Sequence, residues 1–84
     1  MATQVFVGKK SPFFYAFLIS ASTDKEFLIQ ARGRFIAKAV DVANIARRMD
    51  SSLSIKDVQI GSEMLETEQG ERRVSIIRIL LTRS

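Results

Sequence analysis

The chain contains no cysteine and no histidine. Without cysteine, disulfides and thiolate metal sites are unavailable, and the composition agrees with a reducing cytosol. Without histidine, the commonest general base and the commonest metal ligand are gone, leaving only scattered carboxylates for either task. No Gly-rich phosphate loop and no closely spaced carboxylate pair compensates. An enzyme is therefore the least favoured class, and no catalytic residue, metal or cofactor is expected. Long apolar runs are also missing. The longest, Pro12 to Ala21, falls far short of the roughly 20 residues that a membrane span requires, and the N-terminus lacks the layout of a signal peptide. These absences predict a cytoplasmic protein with no membrane partner. No repeat or low-complexity linker divides the sequence, so residues 1–84 are expected to form a single domain. That length is near the lower limit of what one core can stabilise unaided, which makes oligomerisation a natural remedy.

What is present is positive charge, unevenly placed. The net charge is +4. Residues 1–48 hold eight cations (Lys9, Lys10, Lys25, Arg32, Arg34, Lys38, Arg47 and Arg48) against three acids, whereas residues 49–84 hold five cations against six acids. An excess confined to one half points to a polyanionic partner.

The chain reads as β-α-β-α-β-β. Gln4 to Val7 is a short β-branched and aromatic strand ending at Gly8. Lys9 and Lys10 follow, and then Ser11-Pro12 supplies an N-cap and a proline at the first helical position. The helix from Pro12 to Ala21 has almost no polar face, which predicts burial on more than one side. Phe13, Phe14 and Tyr15, beside a lysine pair, offer base stacking as the alternative to core packing. Glu26 to Ala31 is a strand, and a turn at Arg32-Gly33-Arg34 opens a long helix reaching Met49. Its stripe of Ile36, Ala39/Val40, Ala43, Ala46 and Met49 is joined by a partial second one of Phe35, Val42 and Met49, so this helix is expected to be covered on two sides.

Leu53 to Met64 is a strand whose alternation breaks near Lys56-Asp57, as at a bulge, and Gly61 suggests a second irregularity. Glu66 to Glu71 forms a hairpin tip, and Arg72 to Arg83 returns with both faces largely apolar, so it too calls for more cover than one helix layer. The simplest assembly is α+β, a mixed four-stranded sheet with two helices on one face. The second helix has an unusual start. A helix N-terminus carries roughly +0.5 charge, so cations there are disfavoured by about 0.3–1 kcal/mol each, yet Arg32, Arg34 and Lys38 precede the first acid, Asp41. A phosphate accepting from the guanidinium groups and from N–H groups around Gly33, which has no Cβ to block approach, accounts for that cluster.

The chain resembles the Alba family of small archaeal chromatin proteins. The match is carried by Val5-Phe6-Val7-Gly8-Lys9-Lys10 with Tyr15, by Ala31-Arg32-Gly33-Arg34-Phe35-Ile36-Ala37-Lys38-Ala39-Val40-Asp41, and by Ile55-Lys56-Asp57-Val58-Gln59-Ile60-Gly61-Ser62. The resemblance implies a fold like the C-terminal domain of a bacterial translation initiation factor. It also implies a homodimer or heterodimer built on the second helix and last strands, and binding to double-stranded DNA and RNA. By position, Lys9 and Lys10 look like the family's paired lysines, one of which is acetylated in some members, and Arg32 and Arg34 look like its second basic loop. Family hairpins reach along the minor groove. Here the tip departs from the pattern, carrying Glu66, Glu68 and Glu71, with Arg72 and Arg73 as its only cations, and acids there would be repelled by phosphate. Met49-Asp50 stands where some members show an exposed phenylalanine.

The expected function is therefore sequence-nonspecific nucleic-acid binding by an architectural, chromosome-associated dimer, with Lys9, Lys10, Arg32, Gly33, Arg34, Lys38, Arg72 and Arg73 as the contact residues. The alternatives are an RNA-binding subunit of a ribonucleoprotein and a protein-interaction module that docks its partner through the acidic hairpin.

Overall fold

The computed structural model describes residues 2–84. Four strands and two helices follow the expected order: β1 (Thr3–Phe6), α1 (Pro12–Ala21), β2 (Glu26–Arg32), α2 (Ile36–Met49), β3 (Leu53–Thr67) and β4 (Gly70–Arg83), with one 3-10 turn at Gly33–Phe35. The sheet order is β1-β2-β4-β3. β1 and β2 are parallel, as a helical crossover between them requires, and β4 is antiparallel to both β2 and β3.

Local chemistry explains most boundaries. The Ser11 hydroxyl accepts from the Phe13 N–H at 3.0 Å and Pro12 occupies the first turn of α1. Arg47 and Arg48 lie in the last turn of α2, where the helix dipole favours cations. Asp50 ends that helix by accepting from the Ser52 N–H and hydroxyl at 2.9 and 2.6 Å. At the hairpin tip Gly70 takes φ +110°, and the Thr67 hydroxyl donates to its carbonyl at 2.7 Å.

Both helices pack on one face of the sheet. Phe27, Ile29 and Ala31 of β2 stand directly opposite Leu81, Ile79 and Ile77 of β4, in one core with Ala16 and Ile19 of α1 and Ala39, Val42, Ala43 and Ala46 of α2. The small side chains of α2 let its backbone approach the sheet and α1 closely. At the far end Arg83 closes the core, with a side chain only 12% exposed. It pairs with Asp50 at 3.1 Å and donates to the carbonyls of Ile19, Ser22 and Asp24 at 3.2, 2.7 and 2.6 Å. The Ile19 carbonyl also accepts from the Ser22 N–H at 3.2 Å, so Arg83 adds a second donor there and ties the segment after α1 to the last strand.

β3 and β4, of 15 and 14 residues, are about twice as long as the seven-residue β2, and the molecule measures 44 × 22 × 18 Å. β2 ends opposite Ile76, so from Ser62 and Ser75 outward the two strands pair only with each other and form a free-standing arm.

Several expectations need correction. β1 begins and ends one residue earlier than Gln4 to Val7, and β3 runs to Thr67 instead of Met64. The irregularity near Lys56-Asp57 is present, as a register shift between Ile55 and Asp57, whereas Gly61 pairs regularly with Ile76. The helix α1 buries one side only: Tyr15, Ala16 and Ile19 face the core, while Phe13, Phe14, Phe17 and Leu18 are exposed. In α2, Val42 is buried but Val40 and Met49 of the expected stripes are exposed. A single chain thus supplies one cover layer.

Candidate nucleic-acid interface

The topology gathers the basic positions at one end. β1 and β2 run parallel, so the loops leaving their C-terminal ends emerge side by side. The first contains Lys9 and Lys10; the second is the Arg32-Gly33-Arg34 turn. β4 runs antiparallel to β2, and its N-terminal half extends past that same end as the arm. Val74 of the arm touches Gly33, its Cγ1 standing 3.5 Å from where a glycine Cβ would be. Arg73 and Arg72 follow immediately outward, opposite Met64 and Leu65.

Gly33 has φ +55°, a left-handed conformation that disfavours any side chain by about 1–2 kcal/mol. Backbone shape, and not crowding, is what demands glycine here, since the nearest atom to an added Cβ is at ordinary contact distance. The chain then makes its 3-10 turn and enters α2 with no side-chain cap and no acid in the first turn. Initial N–H groups in such a start lack helical partners.

Lys38 joins the two loops. Its ammonium donates to the carbonyls of Gly8 at 2.7 Å and Lys10 at 2.8 Å, and it stands 5.3 Å from the centre of the Phe35 ring. The lysine loop is thus latched to the helix that begins with the arginine turn. The Tyr15 hydroxyl holds the same loop from below by accepting from the Gly8 N–H at 2.9 Å. Tyr15 is buried, which removes it from the stacking candidates.

The expected residues are not equivalent. Arg32 is the last residue of β2 and not part of the helix start; its guanidinium is paired with Glu63 at 3.0 Å. Glu63 also lies 3.7 Å from Arg78, so it offsets charge on two arginines. The pair Arg32–Glu63 is largely exposed and stabilises little by itself. Arg34 lies over Phe35 at 4.8 Å and Lys10 over Phe14 at 5.1 Å. Among the described residues, Lys9, Lys10, Arg34, Lys38, Arg72 and Arg73 form no ion pair. Arg73 donates to the Ser62 hydroxyl at 3.1 Å. Arg72 and Arg73 share the loops' end of the molecule but, as neighbours on a strand, point to opposite faces of the arm.

Glu63 and Arg78 were missing from the sequence expectation, and the cross-strand register that brings them to Arg32 is not written in any local motif. The acidic tip is as expected and more concentrated: Glu66 and Glu71 are directly opposed, with Glu68 in the turn between them. The displaced carboxylates of the protein lie at the other end. Hydrogen bonds from Thr3 and Ser22 hold Asp24 below the ordinary carboxylate value, and those from Ser52, then Arg83, do the same to Asp50.

Among the described residues no group of three or more possible ligands could hold a metal ion, and no helix is long and apolar enough to cross a membrane. Chemically, the basic end offers several cations without carboxylate partners beside a helix start that has no side-chain cap and no acid, a combination suited to an anion.

The family profile named Alba matches residues 3–62. The chain is 43% identical over 81 residues to the "DNA/RNA-binding protein Alba" of Methanothrix thermoacetophila, covering 92% of this chain and 91% of that protein. It is 40% identical over 83 residues to "DNA/RNA-binding protein Alba 1" of Archaeoglobus fulgidus, covering 94% and 93%. Among solved structures it resembles "Alba from Thermoplasma volcanium", with a TM-score of 0.89 at 34% identity, covering 96% of this chain and all of the other. ALBA1 from Trypanosoma brucei shares the fold, with a TM-score of 0.78 at 19% identity over all of this chain and 71% of that one.

Proposed function

The chain belongs to the Alba family, and from that premise we propose that it is a sequence-nonspecific binder of double-stranded DNA and of RNA, acting as an architectural, chromosome-associated dimer in the cytoplasm. The observation that carries this reading is the Lys38 latch, which fixes Lys9 and Lys10 beside Gly33 and Arg34 at the end from which the arm projects. Relatives whose names describe DNA/RNA-binding proteins support it over nearly the full chain.

Phosphates are taken by Lys9, Lys10 and Arg34, with Arg32 available when it exchanges Glu63 for a phosphate, and with Arg72 and Arg73 along the arm. Lys38 uses two of its three donors on the lysine loop and mainly positions that loop. Contact through phosphates explains a lack of sequence preference. The same contacts suit A-form duplexes, which are recognised by shape and backbone. Acetylation of Lys9 or Lys10 removes one unpaired charge and weakens binding.

Dimerisation rests on the uncovered β3 edge of the helix-bearing face. Ile55, Val58, Ile60 and Met64 of β3 share the face on which the helices pack, yet they are 39–83% exposed because the helices do not reach that edge. A second copy, or a paralogue, would cover that row together with the outer side of α2.

Sedimentation and competition binding test both parts. The wild type should sediment as a dimer and Ile60→Asp as a monomer. Random duplexes of different sequence should compete within a few-fold of one another, and structured RNA should compete for the same protein. A clear preference for one duplex sequence, or binding of RNA alone, overturns the architectural reading, the latter in favour of a ribonucleoprotein subunit.

A further inference from the structure

The helix α1 exposes an aromatic face that the duplex-binding reading does not use. At 3.6 residues per turn, Tyr15, Ala16 and Ile19 occupy the side turned to the core, and Phe13, Phe14, Phe17 and Leu18 fill the opposite arc. Phe13 and Phe17 are 62% and 61% exposed, and Phe14 and Leu18 are 43% and 50% exposed. The sequence has six phenylalanines, and three of them are spent on the outside of this ten-residue helix. No charged side chain interrupts the face. It is continuous with the basic end, because the Lys10 ammonium stands 5.1 Å over the Phe14 ring.

We propose that this face is a stacking platform for the unpaired bases of single-stranded nucleic acid, whose phosphates are held by Lys9 and Lys10. The inference rests on the phosphate-binding reading of the basic end and deepens it by assigning a place on the fold to unpaired bases. Proteins that bind single strands combine a cationic track with aromatic rings on which successive bases lie, and both parts are adjacent here. Phe13 and Phe17, one turn apart, are separated by about 6 Å along the helix, so each can take a different base. The helix carries no acid, so nothing on α1 opposes a phosphate chain that runs on from Lys9 and Lys10 along this face.

The test compares a 5′-labelled pyrimidine 16-mer with a 16-base-pair duplex by fluorescence anisotropy, using the wild type, Phe13→Ala/Phe17→Ala and Phe13→Leu/Phe17→Leu. Both side chains are exposed, and thermal melts check that the variants fold. The expected result is a fall in single-strand affinity of about 5-fold or more per phenylalanine replaced by alanine, a similar fall with leucine, and duplex affinity within about two-fold of wild type. Quenching of 2-aminopurine placed in the strand should decrease in parallel. Unchanged single-strand affinity, or full retention by the leucine variant, overturns the proposal. So does a drop in sedimenting mass in the alanine variant, which would assign the face to a contact between copies, or loss of binding to phosphatidylglycerol vesicles while strand binding persists. Wild type that binds duplex but no single strand refutes the platform alone; wild type that binds neither refutes the reading of the basic end as well.

Discussion

Replacing Lys38 by methionine separates two roles that a basic residue can play at this surface. Methionine keeps the apolar stem but removes the charge and both hydrogen bonds to Gly8 and Lys10. Each bond from an ammonium is worth about 1.5–3 kcal/mol when shielded and less in water; both are partly open to solvent here. Adding the cation–π contact with Phe35, the substitution should lower stability by about 1–2 kcal/mol in urea melts with an unchanged slope. The lysine loop then comes loose from α2, and duplex affinity should fall by more than a single phosphate can explain. A salt titration measures this directly, since giving up one neutralised phosphate makes the slope of log affinity against log salt shallower by only about 0.9. Unchanged stability together with a slope change near 0.9 would mean that Lys38 is just another phosphate ligand, and the latch would be refuted.

Arg83→Ala removes the ion pair to Asp50 and the guanidinium hydrogen bonds to the carbonyls of Ile19, Ser22 and Asp24, of which Ile19 keeps the Ser22 N–H. A loss of about 2–4 kcal/mol is expected in a thermal or urea melt, with duplex affinity of the remaining folded protein unchanged. Because Ser52, and then Arg83, hold the Asp50 carboxyl below its ordinary value of 3.8, it lends stability that is complete above that value and disappears as pH falls through the depressed one. Stability should therefore be level above about pH 5 and decline in acid, and Asp50→Asn should flatten that decline; an identical acid limb in the variant would contradict it. Glu66→Lys turns the opposed Glu66 and Glu71 into an attractive pair, which should raise stability by about 0.2–1 kcal/mol. It should also tighten duplex binding at low salt; unchanged affinity would show that the tip stays clear of the polyanion.

Local signals in the sequence carried much of the architecture. Ser11-Pro12 marks the start of α1 because a capping hydroxyl and a residue without an N–H both suit that position. The broken alternation at Lys56-Asp57 marks the bulge that returns Val58 and Ile60 to the face of Ile55. The Arg32-Gly33-Arg34 segment marks the turn into α2, and its glycine answers to a positive φ. What escaped was set by contacts distant in sequence. Glu63 reaches Arg32 only through the pairing of both β3 and β2 with β4, Lys38 reaches carbonyls 28 and 30 residues away, and Arg83 gathers α1 and the end of α2 from the last strand. The exposure of Phe13, Phe14 and Phe17 ran against the apolar pattern, since periodicity tells which residues share a face but not whether anything covers it.

Phosphate binding at the latched loops is tested most directly by the salt dependence of binding to a random duplex, measured for wild type and for Lys9→Gln/Lys10→Gln/Arg34→Gln. Arg32 is left in place because its removal would leave Glu63 with Arg78 as its one ion-pair partner. The wild type should bind with a steep slope, and the variant should bind more weakly with a slope shallower by about 0.9 for each phosphate it no longer neutralises, while a thermal melt shows it folded at the temperature of the assay. Equal affinity and equal slope in the two proteins would contradict the assignment and leave the basic end a solvated surface.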